Sequence, residues 1–177
     1  GSPKPALLSH RNISCQAMCI GQALLRGGSE LVTLVNLPPS HVGCQTELLM
    51  GTLFEGGTAV LVPVFDPAKS LQAIQEHRVT AIGQIPAMFQ FEWRLKNYDS
   101  YDFSSLDFAA YGGQQVPAAF IDKMATMASH VGTGLGLTET AGFCTYIRRE
   151  AAKARDCVST LGQAMPVYPM TIRAAMR

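Results

Sequence analysis

The chain is short of charge. Of its 177 residues only 15% are Asp, Glu, Lys or Arg, against about a quarter in ordinary soluble domains. With 14 basic and 13 acidic residues the formal net charge is +1, which leaves no electrostatic footprint for nucleic acid or an anionic membrane. The densest basic cluster, Arg148, Arg149, Lys153 and Arg155, is diluted by Glu150 and Asp156 and reads as a solvated helical face. Long apolar runs are missing too. None approaches the ~20 residues of a membrane span, and no basic-then-apolar leader opens the sequence, so the expected location is intracellular, in the cytoplasm. The five cysteines (Cys15, Cys19, Cys44, Cys144 and Cys157) include no C-x-x-C pair, so buried reduced thiols are expected rather than zinc or disulfides. There is no fixed-period repeat, which argues against a solenoid, and no G-x-S-x-G elbow to support a serine hydrolase.

What the chain has in quantity is apolar residues, 47% of the total. That is enough for one domain burying about two-thirds of its unfolded surface. The low charge predicts some apolar surface that another part of the protein or a partner covers. Ser9 can cap a helix whose apolar positions Ile13, Ala17, Ile20 and Leu24 recur at three-to-four spacing until Gly27-Gly28. Leu31 to Val35 reads as a buried strand, Gly43 to Phe54 as a helix ended by Gly56-Gly57, and Thr58 to Val62 as the next strand. Asp66-Pro67 is a helix start, with a capping carboxylate before proline at the first helical position. Val79 to Ile82 is a strand, and Pro86 opens a helix to about Leu95. Leu106 to Tyr111 is a strand ending in Gly112-Gly113, Pro117 starts a helix through Met127, and Val131 to Leu135 is a further strand. Short strands alternating with helices predict a layered α/β/α domain with a mostly parallel sheet. A last strand, Pro169 to Ile172, is expected to need a neighbour.

The stretch after the Val131 strand concentrates chemistry. From Gly132 to Gly142 there are four glycines, three threonines and one carboxylate, Glu139. Glycines let backbone pass close to a ligand, and Thr138 and Glu139 add a hydroxyl and an anion at the same spot. The combination suits a phosphate with a divalent cation; it also suits a plain glycine-rich connection. At the carboxyl end of the first strand, Asn36 to His41 is a stiff loop where open α/β sheets place ligand-binding groups.

Taken together and in order, these segments resemble the central part of the large domain of the adenylate-forming (AMP-binding) enzymes, of the acyl-CoA and aryl-CoA synthetase type. Gly1-Ser2-Pro3-Lys4 is similar to the end of the phosphate loop, Leu37-Pro38-Pro39-Ser40-His41 to the L-P-x-x-H segment, and Gly112-Gly113 to the turn at the adenine. Leu135-Gly136-Leu137-Thr138-Glu139 resembles the Y-G-x-T-E signature, and Ser159 to Gln163 with Pro166 the later G-x-x-G-x-P approach.

The resemblance implies an ATP-dependent carboxylic acid–CoA ligase. The acid is activated as an acyl adenylate, and the acyl group is then passed to a thiol of coenzyme A or of a carrier protein. It implies catalytic roles for Thr138, Glu139 and Lys4, with Glu139 holding Mg²⁺ and Thr138 donating to the α-phosphate. It implies ATP or AMP against Gly112, Gly113, Gln114, Gln115, Leu135, Gly136 and Thr138, and the acid against His41, Gly112 and Gly113. Gln114 and Gln115 have a second reading as solvent-facing glutamines. The segment after Pro38 offers no carboxylate for an amino-acid amine, so an uncharged acyl or aryl acid is expected. Residues 1–177 are expected to form a single incomplete domain, lacking the preceding part of the large domain and the C-terminal catalytic domain, and so to be inactive alone.

Two departures from the family pattern concern the nucleotide: Leu135 stands where the signature has tyrosine, and Pro5 replaces the last glycine of the phosphate loop. They favour the competing reading, a noncatalytic α/β ligand-binding or interaction module. A nicotinamide-dependent dehydrogenase fits less well, since Gly132, Gly134 and Gly136 give G-x-G-x-G late in the chain instead of G-x-G-x-x-G after an early strand.

Overall fold

A computed structural model describes residues 2–148 and 158–171. Arg149 to Asp156 of the basic cluster, Cys157, and Ile172 of the expected last strand lie outside the described residues. Five strands, β1 (Val32–Val35), β2 (Thr58–Leu61), β3 (Ala81–Gln84), β4 (Phe108–Tyr111) and β5 (His130–Thr133), form one sheet in the order β2-β1-β3-β4-β5. Every pairing in it is parallel. Parallel neighbours require crossovers, and helices supply them: α1 (His10–Ile20) before β1, α2 (Met50–Glu55), α3 (Pro67–Glu76), α4 (Pro86–Trp93) and α5 (Ala118–Met124) between strands.

Both faces of the sheet are covered, as alternation along the strands demands. Leu34, Ile82, Ala109, Tyr111 and Val131 pack on one face with Leu71 and Ile74 of α3, Phe89 of α4, and Phe120, Ile121 and Met124 of α5. Ala81, Phe108 and Ala110 pack on the other face with Ile20, Leu24 and Leu25. This is the expected α/β/α sandwich. Apolar surface is also left over: Leu53, Phe54, Leu61 and Val64 are exposed around β2, the strand at one edge of the sheet.

The helix starts follow local chemistry. Ser9 Oγ accepts the Asn12 N–H at 3.2 Å while Asn12 Oδ1 accepts the Ser9 N–H at 3.0 Å, a reciprocal cap. Asp66 Oδ1 accepts the Lys69 N–H at 2.9 Å ahead of Pro67.

Several boundaries differ from the sequence reading. The segment after α1, Gly21–Leu25, and the segment before α2, Gly43–Leu49, are wound as wider π-helical turns. In the second, the Thr46 hydroxyl bonds the Val42 carbonyl at 2.6 Å and also the Ala141 carbonyl, a tertiary attachment that periodicity does not register. The expected strand Val131 to Leu135 stops at Thr133, because the Leu135 N–H turns to Thr145 Oγ1 at 2.9 Å. The expected strand from Pro169 is not formed over 169–171. Pro169 has no N–H to give a ladder, and the strand in this region is β9 (Gln163–Ala164), paired antiparallel with β8 (Thr145–Tyr146).

Candidate active site

Ligands in open parallel sheets bind outside the carboxyl ends of the strands, where the chain order reverses. In this order the reversal falls between β1 and β3. A cavity of about 700 Å³ lies there, and its wall includes Asn36 after β1, Gln84 of β3, and Gly112 and Gly113 after β4. Gly136, Thr138 and Glu139 complete one side and His41 another, while Ile20, Leu24, Leu48 and Phe108 give it an apolar arm.

The glycine-rich stretch is folded as a hairpin. β6 (Gly136–Leu137) pairs antiparallel with β7 (Gly142–Phe143), and between them Thr138–Thr140 make a single 3₁₀ turn. Thr140 Oγ1 accepts the Leu137 N–H at 3.1 Å and donates to backbone carbonyls of the same turn. Ala141 is held at φ 57 and Gly142 at φ 133. A side chain at Gly142 would meet Glu47 Oε1 at 2.7 Å and Gln16 Nε2 at 3.0 Å, so only glycine suits that position.

One buried and two half-buried polar groups, Gln16, Glu47 and Tyr168, hold the hairpin from beneath. Glu47 Oε1 accepts the Phe143 N–H at 2.6 Å, and Gln16 Nε2 donates to the Phe143 carbonyl at 2.8 Å. The Tyr168 hydroxyl donates to Gln16 Oε1 at 2.9 Å and to the Thr140 carbonyl. Thr138 and Glu139 themselves stay exposed. The hairpin is therefore held through its backbone and Thr140, and the side chains of Thr138 and Glu139 stay open to solvent.

His41 is part of the cavity wall. Its Nδ1 accepts the Gly43 N–H at 3.0 Å, which leaves Nε2–H as the donor of the neutral ring. The remaining predicted residues are elsewhere. Lys4, Gln114 and Gln115 are exposed and form no part of the cavity wall, and Leu135, 37% exposed, lies just behind the hairpin. His77 is exposed, and His130 is half-buried with Nδ1 3.0 Å from Asp107 Oδ1. Cys19, Cys44 and Cys144 are buried thiols, and burial pushes Cys19 and Cys44 upward.

Two carboxyl groups withdrawn from water, the half-buried Glu47 and the buried Glu92, escaped the sequence reading. Glu47 lines the cavity, and loss of water pushes it up to about 7, against the lowering effect of the Phe143 N–H. Glu92 in α4 is fully buried; burial pushes it up to about 8 although Gln84 Nε2 donates to it at 3.0 Å. Glu92 interrupts the mostly apolar helical run Met88 to Trp93, and a charged residue there was the available signal; Glu47 follows the polar Gln45 and Thr46 and carries no such signal. Each is raised from an ordinary value of 4.5. The folded state therefore holds these protons more tightly than the unfolded chain. Their stabilising contribution is complete below about 4.5 and is lost as pH rises through 7 and 8. At about 1.4 kcal/mol per unit of displacement, a few kcal/mol are involved for each group. Urea unfolding should show lower stability near pH 9 than near pH 5, with much of the slope removed in Glu92→Gln. An unchanged slope in that variant would show that Glu92 titrates normally.

A model of the family described as AMP-binding enzyme matches residues 1–175. The chain belongs to the AMP-binding enzyme family. A feruloyl-CoA synthase of Amycolatopsis is 32% identical over 143 residues, 80% of this chain and 28% of its own. A long-chain-fatty-acid–CoA ligase of Mycobacterium tuberculosis is 28% identical over 153 residues, 86% of this chain and 30% of its own. Among solved structures, a fatty acyl CoA synthetase of Mycobacterium tuberculosis superposes with a TM-score of 0.83 at 26% identity, over 94% of this chain and 32% of that one. The o-succinylbenzoate CoA synthetase of Bacillus subtilis, solved with ATP and magnesium ion, has a TM-score of 0.79 at 21% identity, over 94% of this chain and 34% of that one. At that identity it bears on the fold alone. The chain spans under a third of the length of the curated relatives described here.

Magnesium use can be tested against the residues present. Among the described residues no three His, Cys, Asp or Glu side chains come together as a metal cluster. A cage built wholly of protein ligands is therefore not offered. A cation that keeps waters and phosphate oxygens needs only one or two carboxylates, and the exposed Glu139 on the cavity wall fits that demand.

Proposed function

We infer that this chain supplies the nucleotide and acid site of an ATP-dependent carboxylic acid–CoA ligase, acting on an uncharged acyl or aryl acid. The observation that carries the reading is the convergence of Gly112, Gly113, Gly136, Thr138, Glu139 and His41 on one cavity at the carboxyl ends of the sheet. One carboxylate oxygen of the acid attacks the α-phosphorus of ATP and pyrophosphate departs. The thiol of coenzyme A, or of a carrier arm, then takes the acyl carbon and AMP leaves with the carboxylate oxygen.

In that reaction Thr138 donates its hydroxyl to an α-phosphate oxygen, where negative charge gathers. Mg²⁺ would neutralise phosphate charge, and Glu139 would hold it. The backbone of Gly112-Gly113 borders the base and the acid, and His41 Nε2–H faces the acid. Lys4, outside the cavity wall, is assigned to the departing phosphates on resemblance alone. The apolar arm past Leu48 and Phe108 takes the body of the acid, and burying each methylene there is worth about 0.8 kcal/mol. Residues 1–177 are the central part of the large domain on this reading, with the C-terminal catalytic domain outside them.

The test is pyrophosphate release with ATP and a panel of carboxylic acids. The full-length protein carrying this chain should release it in proportion to acid, and residues 1–177 alone should release none, since half a site cannot assemble the reacting geometry. Acid-independent behaviour of the full-length protein would favour the noncatalytic module.

A further inference from the structure

One residue of the cavity wall carries more than the hairpin needs from it. Glu47 Oε1 accepts the Phe143 N–H at 2.6 Å and so anchors β7. Anchoring takes one acceptor, which the side-chain oxygen of a glutamine would also supply. Glu47 brings a second oxygen, Oε2, and among the described residues no group donates to it. The unpartnered polar atoms sealed from solvent among those residues are Asn36 Oδ1 and Glu92 Oε1. Oε2 of the half-buried Glu47 is not one of them and so keeps accessible surface, and Glu47 lines the cavity. Gly43 shows where that oxygen lies. The point that a Cβ on Gly43 would occupy is 3.5 Å from Glu47 Oε2, 3.1 Å from His41 Nδ1 and 3.4 Å from Leu37 Cδ1. The free oxygen and the histidine therefore flank one gap in the wall. Among the described residues no lysine or arginine lines the cavity to answer the carboxylate, and loss of water outweighs the Phe143 N–H and lifts it to about 7.

We propose that Glu47 is a specificity-determining residue: the acid accepted by this protein carries a neutral hydrogen-bond donor, an O–H or an amide N–H, beyond its carboxylate, and Glu47 Oε2 receives that hydrogen beside Gly43. This rests on the ligase reading above and narrows its substrate class. The chemistry of the free atom selects the group. An ionised carboxylate only accepts, so an ether or a halogen brings it no hydrogen, and a second carboxylate adds a like charge. An ammonium group brings three hydrogens to one free oxygen, and those left over go unpaired against Leu37. A neutral donor brings one hydrogen to one oxygen. Sites built to bond a substrate O–H or N–H discriminate strongly against the analogue lacking it, because their own polar groups are then left unpaired.

The test compares kcat/KM for pyrophosphate release by the full-length protein, at a pH well above the Glu47 value of about 7 so that Oε2 can only accept. Straight-chain and aryl acids are used plain, with a hydroxyl or an acylamino group away from the carboxylate, and with that group methylated on its oxygen or nitrogen. At least one donor-bearing acid should exceed both its plain and its methylated forms by about tenfold or more. Glu47→Gln keeps an oxygen for the Phe143 N–H and puts an NH₂ donor in place of Oε2, so in that variant the advantage over the methylated form should fall to about one. Equal rates for donor and methylated forms, a preference that survives Glu47→Gln, or an ammonium-bearing acid that outruns every neutral donor would overturn the inference and leave the ligase reading standing. Failure of every acid would end both. The methylation comparison in the unaltered protein decides the matter even if Glu47→Gln does not fold.

Discussion

Replacing Glu139 with alanine in the full-length protein should lower acid-dependent pyrophosphate release by on the order of a hundredfold or more, the usual cost of removing one group that stabilises transition-state charge. The side chain is exposed and lies on the 3₁₀ turn between β6 and β7. The hairpin is held through Gln16, Glu47 and Thr140, none of which needs the Glu139 carboxylate. Stability should therefore change by no more than about 0.5 kcal/mol, as at other exposed positions. A cation-binding role adds a signature that general damage would not give. The magnesium concentration for half-maximal rate should rise in Glu139→Ala and recover partly in Glu139→Asp. Glu30→Ala, at another exposed carboxylate outside the cavity wall, serves as the control. Activity within about threefold of the unaltered protein would exclude the loop as a magnesium and phosphate site; that margin is well inside the effect expected of such a group.

Gly134→Ala should be a severely damaging single methyl next to the hairpin. A Cβ there would collide with the Thr145 carbonyl oxygen and fall 3.0 Å from its carbon. These are backbone atoms, held because Ile147 donates to the Thr133 carbonyl at 3.1 Å and Leu135 to Thr145 Oγ1 at 2.9 Å. The segments 133–135 and 145–147 must separate to admit the methyl, and the hairpin carrying Thr138 and Glu139 moves with them. Overpacking of this kind costs about 3 kcal/mol, which for a chain of this size lowers the melting temperature by roughly 10 °C. Gly56→Ala is the comparison. Gly56 sits at φ 77 with nothing within 4 Å of the added Cβ, so it meets only the left-handed backbone cost of about 1–2 kcal/mol. Equal losses in the two variants would mean that the Gly134 contact is relieved without moving the hairpin.

The sequence showed the fold well where local chemistry decides it. Ser9, Asp66-Pro67 and Pro86 mark helix starts because capping and proline geometry act within a few residues. The alternation of short apolar runs with helices revealed the parallel sheet. Strand ends were less legible: whether Leu135 pairs in the sheet or turns away depends on Thr145, ten residues later. The same limit governed the site. Thr138, Glu139, His41, Gly112 and Gly113 stand out as residue types in a motif order, and all of them reach the cavity. Glu47 does not stand out, because its meaning comes from a partner 96 residues away, in the bond from Phe143 to Glu47. Gln114 and Gln115 follow the Gly-Gly turn in sequence, yet they lie outside the cavity wall.

The most direct test of the account is to follow one oxygen atom. An acid labelled with heavy oxygen in its carboxylate, turned over by the full-length protein with ATP and coenzyme A, should pass one labelled oxygen into the phosphate of AMP. Mass spectrometry of the AMP reads it. Label in AMP is the result predicted by carboxylate attack at the α-phosphorus in the site of Thr138 and Glu139; thioester formation with label in inorganic phosphate instead, or no turnover at all, would contradict it.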